Sequence, residues 1–151
     1  MSSHHATIAW SRTSADFTYE TYNRAHEMRF KDGAVVLPAS SAPAFRGDGE
    51  RVDPEEAFVA ALSSCHMLTF LAICARKRLT VDAYEDNAEG FLEKGADGKL
   101  WMARVVLKPR VAFAPGAAPD AAVVDDIHHK SHAECFIALS VKTDVTVAPH
   151  P

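Results

Sequence analysis

The stretch that decides the fold is Asp53-Pro54-Glu55-Glu56-Ala57-Phe58-Val59-Ala60-Ala61-Leu62-Ser63-Ser64-Cys65-His66-Met67-Leu68-Thr69-Phe70-Leu71-Ala72-Ile73-Cys74-Ala75-Arg76-Lys77. Its first four residues signal a helix start. Asp53 can cap the free N–H groups, Pro54 takes the first helical position, and Glu56 can reach back to the capping residue. Residues 57–75 carry no charge, and the run closes on basic residues that suit the negative pole of a helix. The pattern predicts one helix over 53–77. Phe58, Leu62, Cys65, Thr69 and Ala72 recur at spacings of three and four and so share a face. Cys74 follows Cys65 by nine residues, which places it on the opposite face. The charge-free run approaches the length of a membrane span, yet Ser63, Ser64, Cys65 and His66 occupy its centre, where lipid would penalise polar atoms. It reads as the core helix of a small domain, buried on nearly all sides.

The elements around it are shorter. Before the helix, residues 7–11, 17–22 and 26–30 read as strands, and Lys31-Asp32-Gly33 as a turn. Residues 35–51 are rich in Pro, Ala, Ser and Gly and read as one long loop. After the helix, residues 81–94 and 99–113 form the two arms of a hairpin around Gly95-Ala96-Asp97-Gly98. In the second arm Trp101, Ala103, Val105, Leu107, Val111 and Phe113 alternate onto one face, and Pro109 predicts an edge or a bend. Pro119 opens a second helix with Val123, Val124, Ile127 and Ser131 on one side. Cys135 follows its end, and Val141, Thr143, Val145 and Val147 alternate in a last strand. The order predicts an α+β fold, mainly antiparallel sheet with a long buried central helix and a second helix.

At 151 residues the chain fits a single domain, 1–151. A net charge of −4 with scattered Lys and Arg gives no basic patch for nucleic acid. Residues 1–6 are polar and lack the apolar core of a secretory signal, so a cytoplasmic protein is expected, with no membrane partner. His4 and His5 are given no function. Three cysteines, Cys65, Cys74 and Cys135, with no CxxC spacing, suit free thiols or one pair that forms and breaks.

Two motifs carry a resemblance. Asp53-Pro54-Glu55-Glu56 leading to Ala60-Ala61-Leu62-Ser63-Ser64-Cys65 resembles the signature of the OsmC/Ohr family, osmotically inducible and organic hydroperoxide resistance proteins. His132-Ala133-Glu134-Cys135 resembles that family's second signature, a helix end closing on Cys. The resemblance covers nearly the whole chain. It implies an intertwined homodimer with two active sites at the subunit interface. It also implies a thiol-dependent peroxidase that reduces organic hydroperoxides without metal or organic cofactor. Cys65 would be the peroxidatic thiol and Cys135 the resolving thiol. Glu55 matches the helix-start carboxylate that orients a catalytic Arg. Tyr22-Asn23-Arg24-Ala25-His26, on an early strand, resembles the Tyr-x-Arg-x-His of one branch and makes Arg24 that arginine, with Arg46 second and Arg12 third. A dithiol, a lipoylated protein in the Ohr branch, would reduce the resulting disulfide. Two positions depart from the pattern. His66 stands where an apolar residue is usual, and Phe136, not Pro, follows Cys135.

The chemistry asks for these residue types. Only a thiolate attacks peroxide well, and a free thiol is a few per cent ionised at neutral pH. A guanidinium favours the thiolate and offers donors to the peroxide oxygens, and a carboxylate holds the guanidinium in place. Phe58, Leu62 and Leu68 are expected to line an apolar channel for the alkyl part of a substrate. Two rival readings remain at this level. One is a binding or redox-sensing protein of the same fold without efficient turnover. The other is a zinc site from Cys65, His66, His128, His132 and Cys135. His66 is also a candidate helper of Cys65, although adjacent helix residues point about 100° apart.

Overall fold

The computed structural model describes residues 1–149. The fold is α+β, with antiparallel sheets, one long helix and a second helix. The chain divides into two compact units, Met1–Ala57 and Phe58–Pro151.

In the first unit β1 (Thr7–Ala9), β2 (His26–Phe30) and β3 (Val35–Ala39) form an antiparallel sheet in that order. Met28 on β2 faces Ile8 on one side and Leu37 on the other, and is buried. The turn between β2 and β3 lies where expected. Lys31 and Asp32 adopt left-handed φ values of 52° and 53° there. The loop expected over 35–51 begins only after β3. Val35, Val36 and Leu37 are good strand formers, and the tight turn fixes their register against β2. Pro38 is tolerated because β3 is an outer strand. The strand expected over 17–22 is absent. Thr18 accepts from the N–H groups of Thr21 and Tyr22, and the two threonine hydroxyls lie 2.9 Å apart, so local hydrogen bonds win over extension. Asn23 ties the loop shut by donating to Ser11 O and accepting from Thr13 N.

Helix α1 (Pro54–Arg76) starts as its sequence dictates. Asp53 N–H donates to Glu56 Oε2 at 3.0 Å, and Glu56 N–H donates to Asp53 Oδ1 at 2.7 Å. The expectation of burial on nearly all sides fails. The buried stripe is Leu62, His66, Phe70, Ile73 and Cys74, whereas Ala60, Ala61 and Ser64 are exposed and Leu68 is 60% exposed. The helix is apolar all round, so its composition hides which side faces the core.

In the second unit β4 (Val81–Asp86) pairs with β7 (Pro109–Phe113), and β5 (Glu89–Lys94) pairs with β6 (Leu100–Leu107), both antiparallel. The expected hairpin exists but breaks in both arms. Pro109 has no N–H to continue the ladder, and Lys108 N–H turns instead to Asp86 Oδ1 at 2.6 Å. Helix α2 (Ala121–Glu134) and the single turn α3 (Phe136–Leu139) then lead to β8 (Asp144–Val147), which joins β6 in parallel. Ile127 and Ser131 on α2 are buried as expected, but Val123 is exposed and His128 takes the inward place. Two cores result. Leu62 packs with Val105, Leu107 and Val145, and Phe70, Ile73 and Cys74 pack with Ile127. A Cβ at Gly90 would lie 2.5 Å from Met102 Cε and from Val59 Cγ2, so a larger residue there would force those side chains to shift.

Candidate active site

Cys65 sits in the middle of α1 and is half-buried. Cys135 is 1% exposed and occupies the joint between α2 and α3, in extended conformation. The chain turns there because Cys135 ends one helix and starts the next. Its backbone N–H donates to His132 O, and its sulfur accepts from Ala138 N at 3.5 Å. Both thiols are free, and Cys65 lies near enough to Cys135 to influence its ionisation. Burial pushes the Cys135 thiol up from its ordinary pKa. The nearness of Cys65 acts in the same direction, while the N–H groups of Ala138 and Ile137 oppose the shift. Cys135 therefore keeps its proton at neutral pH. Cys74 is buried in the second core, and burial raises its pKa as well. The turn α3 and its two N–H groups escaped the sequence reading. The apolar run Phe136-Ile137-Ala138-Leu139 directly after Cys135 is the signal that marks it.

The other expected residues lie in the first unit. Glu55 is half-buried in the first turn of α1 and forms no ion pair among the described residues. Arg24 lies in the irregular segment just before β2, not on a strand. Its guanidinium donates to Tyr22 O at 2.7 Å and Tyr19 O at 2.5 Å, and stacks 4.0 Å from the centre of the Tyr22 ring. It lines a cavity of about 510 Å³ walled by Ile8, Trp10, Phe17 and Tyr22. Arg46 lies 5.9 Å from the Tyr19 ring, and Arg12 donates to the carbonyls of Ser14 and Ala15. Within the first unit, then, neither Arg24 nor its alternatives pairs with Glu55. The expected channel of Phe58, Leu62 and Leu68 does not form. Leu62 is sealed in the first core with Phe58 against it, while Leu68 points outward.

His66 is buried with its Nε2 3.1 Å from Nδ1 of His128, the two rings 6° from parallel. Burial lowers the pKa of His66 to about 4, with smaller contributions from His128 and His132. Burial also lowers that of His128. Both rings are neutral at pH 7. Among the described residues no three His, Cys, Asp or Glu side chains converge as a metal site, so the mixed thiol and imidazole constellation is not assembled.

The chain is thus an α+β fold with two neighbouring thiols, one on a long helix and one at a helix joint. The model of the OsmC-like protein family matches residues 47–150. An OsmC-like protein of unknown function from Vibrio cholerae is 44% identical, covering 99% of this chain and 100% of its own, with a TM-score of 0.93. An organic hydroperoxide resistance protein from Legionella pneumophila superposes with a TM-score of 0.76 at 14% identity, covering 100% of this chain and 98% of its own. OhrB of Bacillus subtilis, also an organic hydroperoxide resistance protein, gives 0.71 at 16% identity, covering 98% of each chain. An uncharacterized Bacillus subtilis protein, YmaD, is 22% identical over 82% of each chain. The chain belongs to the OsmC-like family.

Proposed function

We propose that the protein is a thiol-dependent peroxidase acting on organic hydroperoxides, built as one OsmC-like domain and working in the cytoplasm as a homodimer. The observation that carries this reading is that Cys65 and Cys135, far apart in sequence, are neighbours close enough for Cys65 to shift the ionisation of Cys135. Neighbouring thiols can join as a disulfide when their Cα atoms lie within about 7 Å. Cys65 attacks the peroxide as thiolate. The O–O bond breaks, the sulfur becomes a sulfenic acid, and the leaving alkoxide takes a proton to depart as alcohol. Cys135 then attacks that sulfur, and its proton leaves with the hydroxyl as water. The products are one alcohol, one water and a Cys65–Cys135 disulfide. A dithiol, in one branch of the family a lipoylated protein, returns both thiols.

The asymmetry of the pair supports these roles. The more exposed thiol meets the substrate, and the buried one keeps its proton until it is needed. Arg24 is assigned to the developing charge, and Glu55 to holding that arginine, on the strength of the motifs they match. Since Glu55 and Arg24 do not pair within one chain, the dimer is where that arrangement would be completed. The uncovered side of α1, with Leu68, Ala60 and Ala61, is consistent with a partner subunit.

Steady-state turnover of cumene hydroperoxide with a dithiol reductant tests the reading. Cys65→Ser is expected to lose turnover to background, whereas Cys135→Ser is expected to consume about one equivalent and then stall or overoxidise. Full activity in Cys65→Ser would exclude the assignment. Consumption of a single equivalent by the unaltered protein, whichever dithiol is supplied, would favour redox sensing over catalysis.

A further inference from the structure

The segment between β1 and β2 carries a series of aromatic rings held in fixed positions. The rings of Trp10 and Phe17 have centres 5.9 Å apart at 57°, and those of Phe17 and Tyr22 lie 5.5 Å apart at 50°. Tilted rings at such distances attract edge to face. The Arg24 guanidinium closes the series, 4.0 Å from the centre of the Tyr22 ring. Hydrogen bonds of the loop itself keep this arrangement. Trp10 Nε1 donates to Asn23 O at 2.6 Å, and Asn23 donates to Ser11 O and accepts from Thr13 N. Yet Trp10 is 43% and Phe17 67% exposed. Large apolar side chains pinned together at a surface mark a place where an apolar group lands.

The space these rings wall, with Ile8, is the cavity of about 510 Å³, a volume within the ordinary range for small-molecule sites. Aromatic walls can hold a cation as well as an apolar group. Here the lining rejects a cation. Arg24 and His26 belong to the wall, and no acidic side chain lines it among the described residues. A neutral aromatic group fits instead. Its ring meets the faces and edges of Trp10, Phe17 and Tyr22, and a polar end beside the ring can reach the guanidinium. Arg24 has donors to spare for that end. Of the five N–H groups of a guanidinium, the carbonyls of Tyr22 and Tyr19 take two.

We propose that the cavity walled by Trp10, Phe17 and Tyr22 binds the arene of an aryl-substituted hydroperoxide, so that the protein selects aryl hydroperoxides over hydrogen peroxide and over saturated alkyl ones. The substrate class rests on the role given to Arg24 above. Peroxide oxygens held by that guanidinium put the organic group bonded to them into the cavity it lines. Hydrogen peroxide leaves the cavity empty and gains nothing from its walls. A saturated ring fills the same space but lacks the charge distribution that makes ring edges and faces attract.

The test separates binding from turnover. The chain has two tryptophans, so a full-length Trp101→Phe background leaves Trp10 as the lone indole reporter. Cumyl alcohol, which has no O–O bond to break, is titrated into this protein in its reduced form and the indole emission followed. A saturable change is expected, with the cyclohexyl counterpart of the alcohol binding about threefold more weakly or worse. Phe17→Ala, at an exposed position, should weaken cumyl alcohol binding about threefold. It should also lower, by a similar factor, the ratio of kcat/KM for cumene hydroperoxide to that for hydrogen peroxide. An absent response of Trp10 would overturn the proposal. So would equal or tighter binding of the cyclohexyl alcohol, or a ratio that Phe17→Ala leaves unmoved; turnover of hydroperoxides in those cases would leave the peroxidase reading standing. Saturable, arene-selective binding by a protein that turns over no hydroperoxide would support the arene site and overturn the peroxidase reading instead.

Discussion

Neighbouring thiols need not be equal, and here their surroundings make them unequal. Cys135 is sealed between two helices and resists ionisation, while Cys65 is reachable from one side of α1. Cys74 has neither access nor a partner thiol. Cys74→Ser is expected to lower stability by about 1–2 kcal/mol through the buried hydroxyl, with peroxide consumption unchanged; denaturant unfolding and a single-turnover assay check the two halves. His66 supplies a pH dependence. The unfolded chain binds a proton at His66 near its ordinary value of 6.5, and the folded chain only near 4. Stability is therefore full above pH 6.5 and falls as pH drops toward 4, by about 3 kcal/mol for this residue. His128 adds to the loss in the same direction. Urea unfolding between pH 7 and 4 checks the slope, which should flatten in His66→Leu if that variant folds. At this scale the sequence was informative about the cysteines, because each of two motifs ends on one. It was uninformative about His66. An imidazole in an apolar helix looks like a polar interruption, and only the partner His128, sixty-two residues away, explains why it can be buried.

At the scale of elements, local chemistry decided most boundaries. The Asp53–Glu56 capping box starts α1 at the residue its sequence indicates, and Asp53→Ala should cost about 1 kcal/mol in thermal or denaturant unfolding. Phe70→Ala, in the second core, should cost about 3–5 kcal/mol, because the ring leaves a cavity between α1 and α2 that neighbours cannot fill. The errors fall where local and distant interactions compete. Residues 17–22 have the composition of a strand but lie in turns, since Thr18 and Thr21 satisfy the backbone nearby. Pro38 made the segment after the first turn look irregular, yet as part of an outer strand it loses little. The parallel placement of β8 beside β6 depends on how α2 and α3 carry the chain back, which no local pattern encodes. Arg24 remains hard to read for the same reason. Its guanidinium is engaged by two carbonyls and a tyrosine ring, contacts that spacing alone does not reveal.

At the scale of the whole molecule, the long helix decides how much of the chain is self-sufficient. A helix this apolar would be expected to bury itself, but Leu68 and its small neighbours remain uncovered within one chain. The homodimer proposed here supplies the missing cover. Light scattering is expected to give twice the mass of one chain, and Leu68→Glu is expected to shift the protein toward monomer and reduce peroxide turnover with it. A monomer at micromolar concentration with full activity would contradict that part. The central claim, that Cys65 and Cys135 form a peroxide-driven redox pair, is tested most directly by intact mass. The protein is treated with one equivalent of cumene hydroperoxide and measured under non-reducing, denaturing conditions. The account predicts a loss of two hydrogens, with peptide mapping to a Cys65–Cys135 disulfide. An unchanged mass with both thiols free would contradict it.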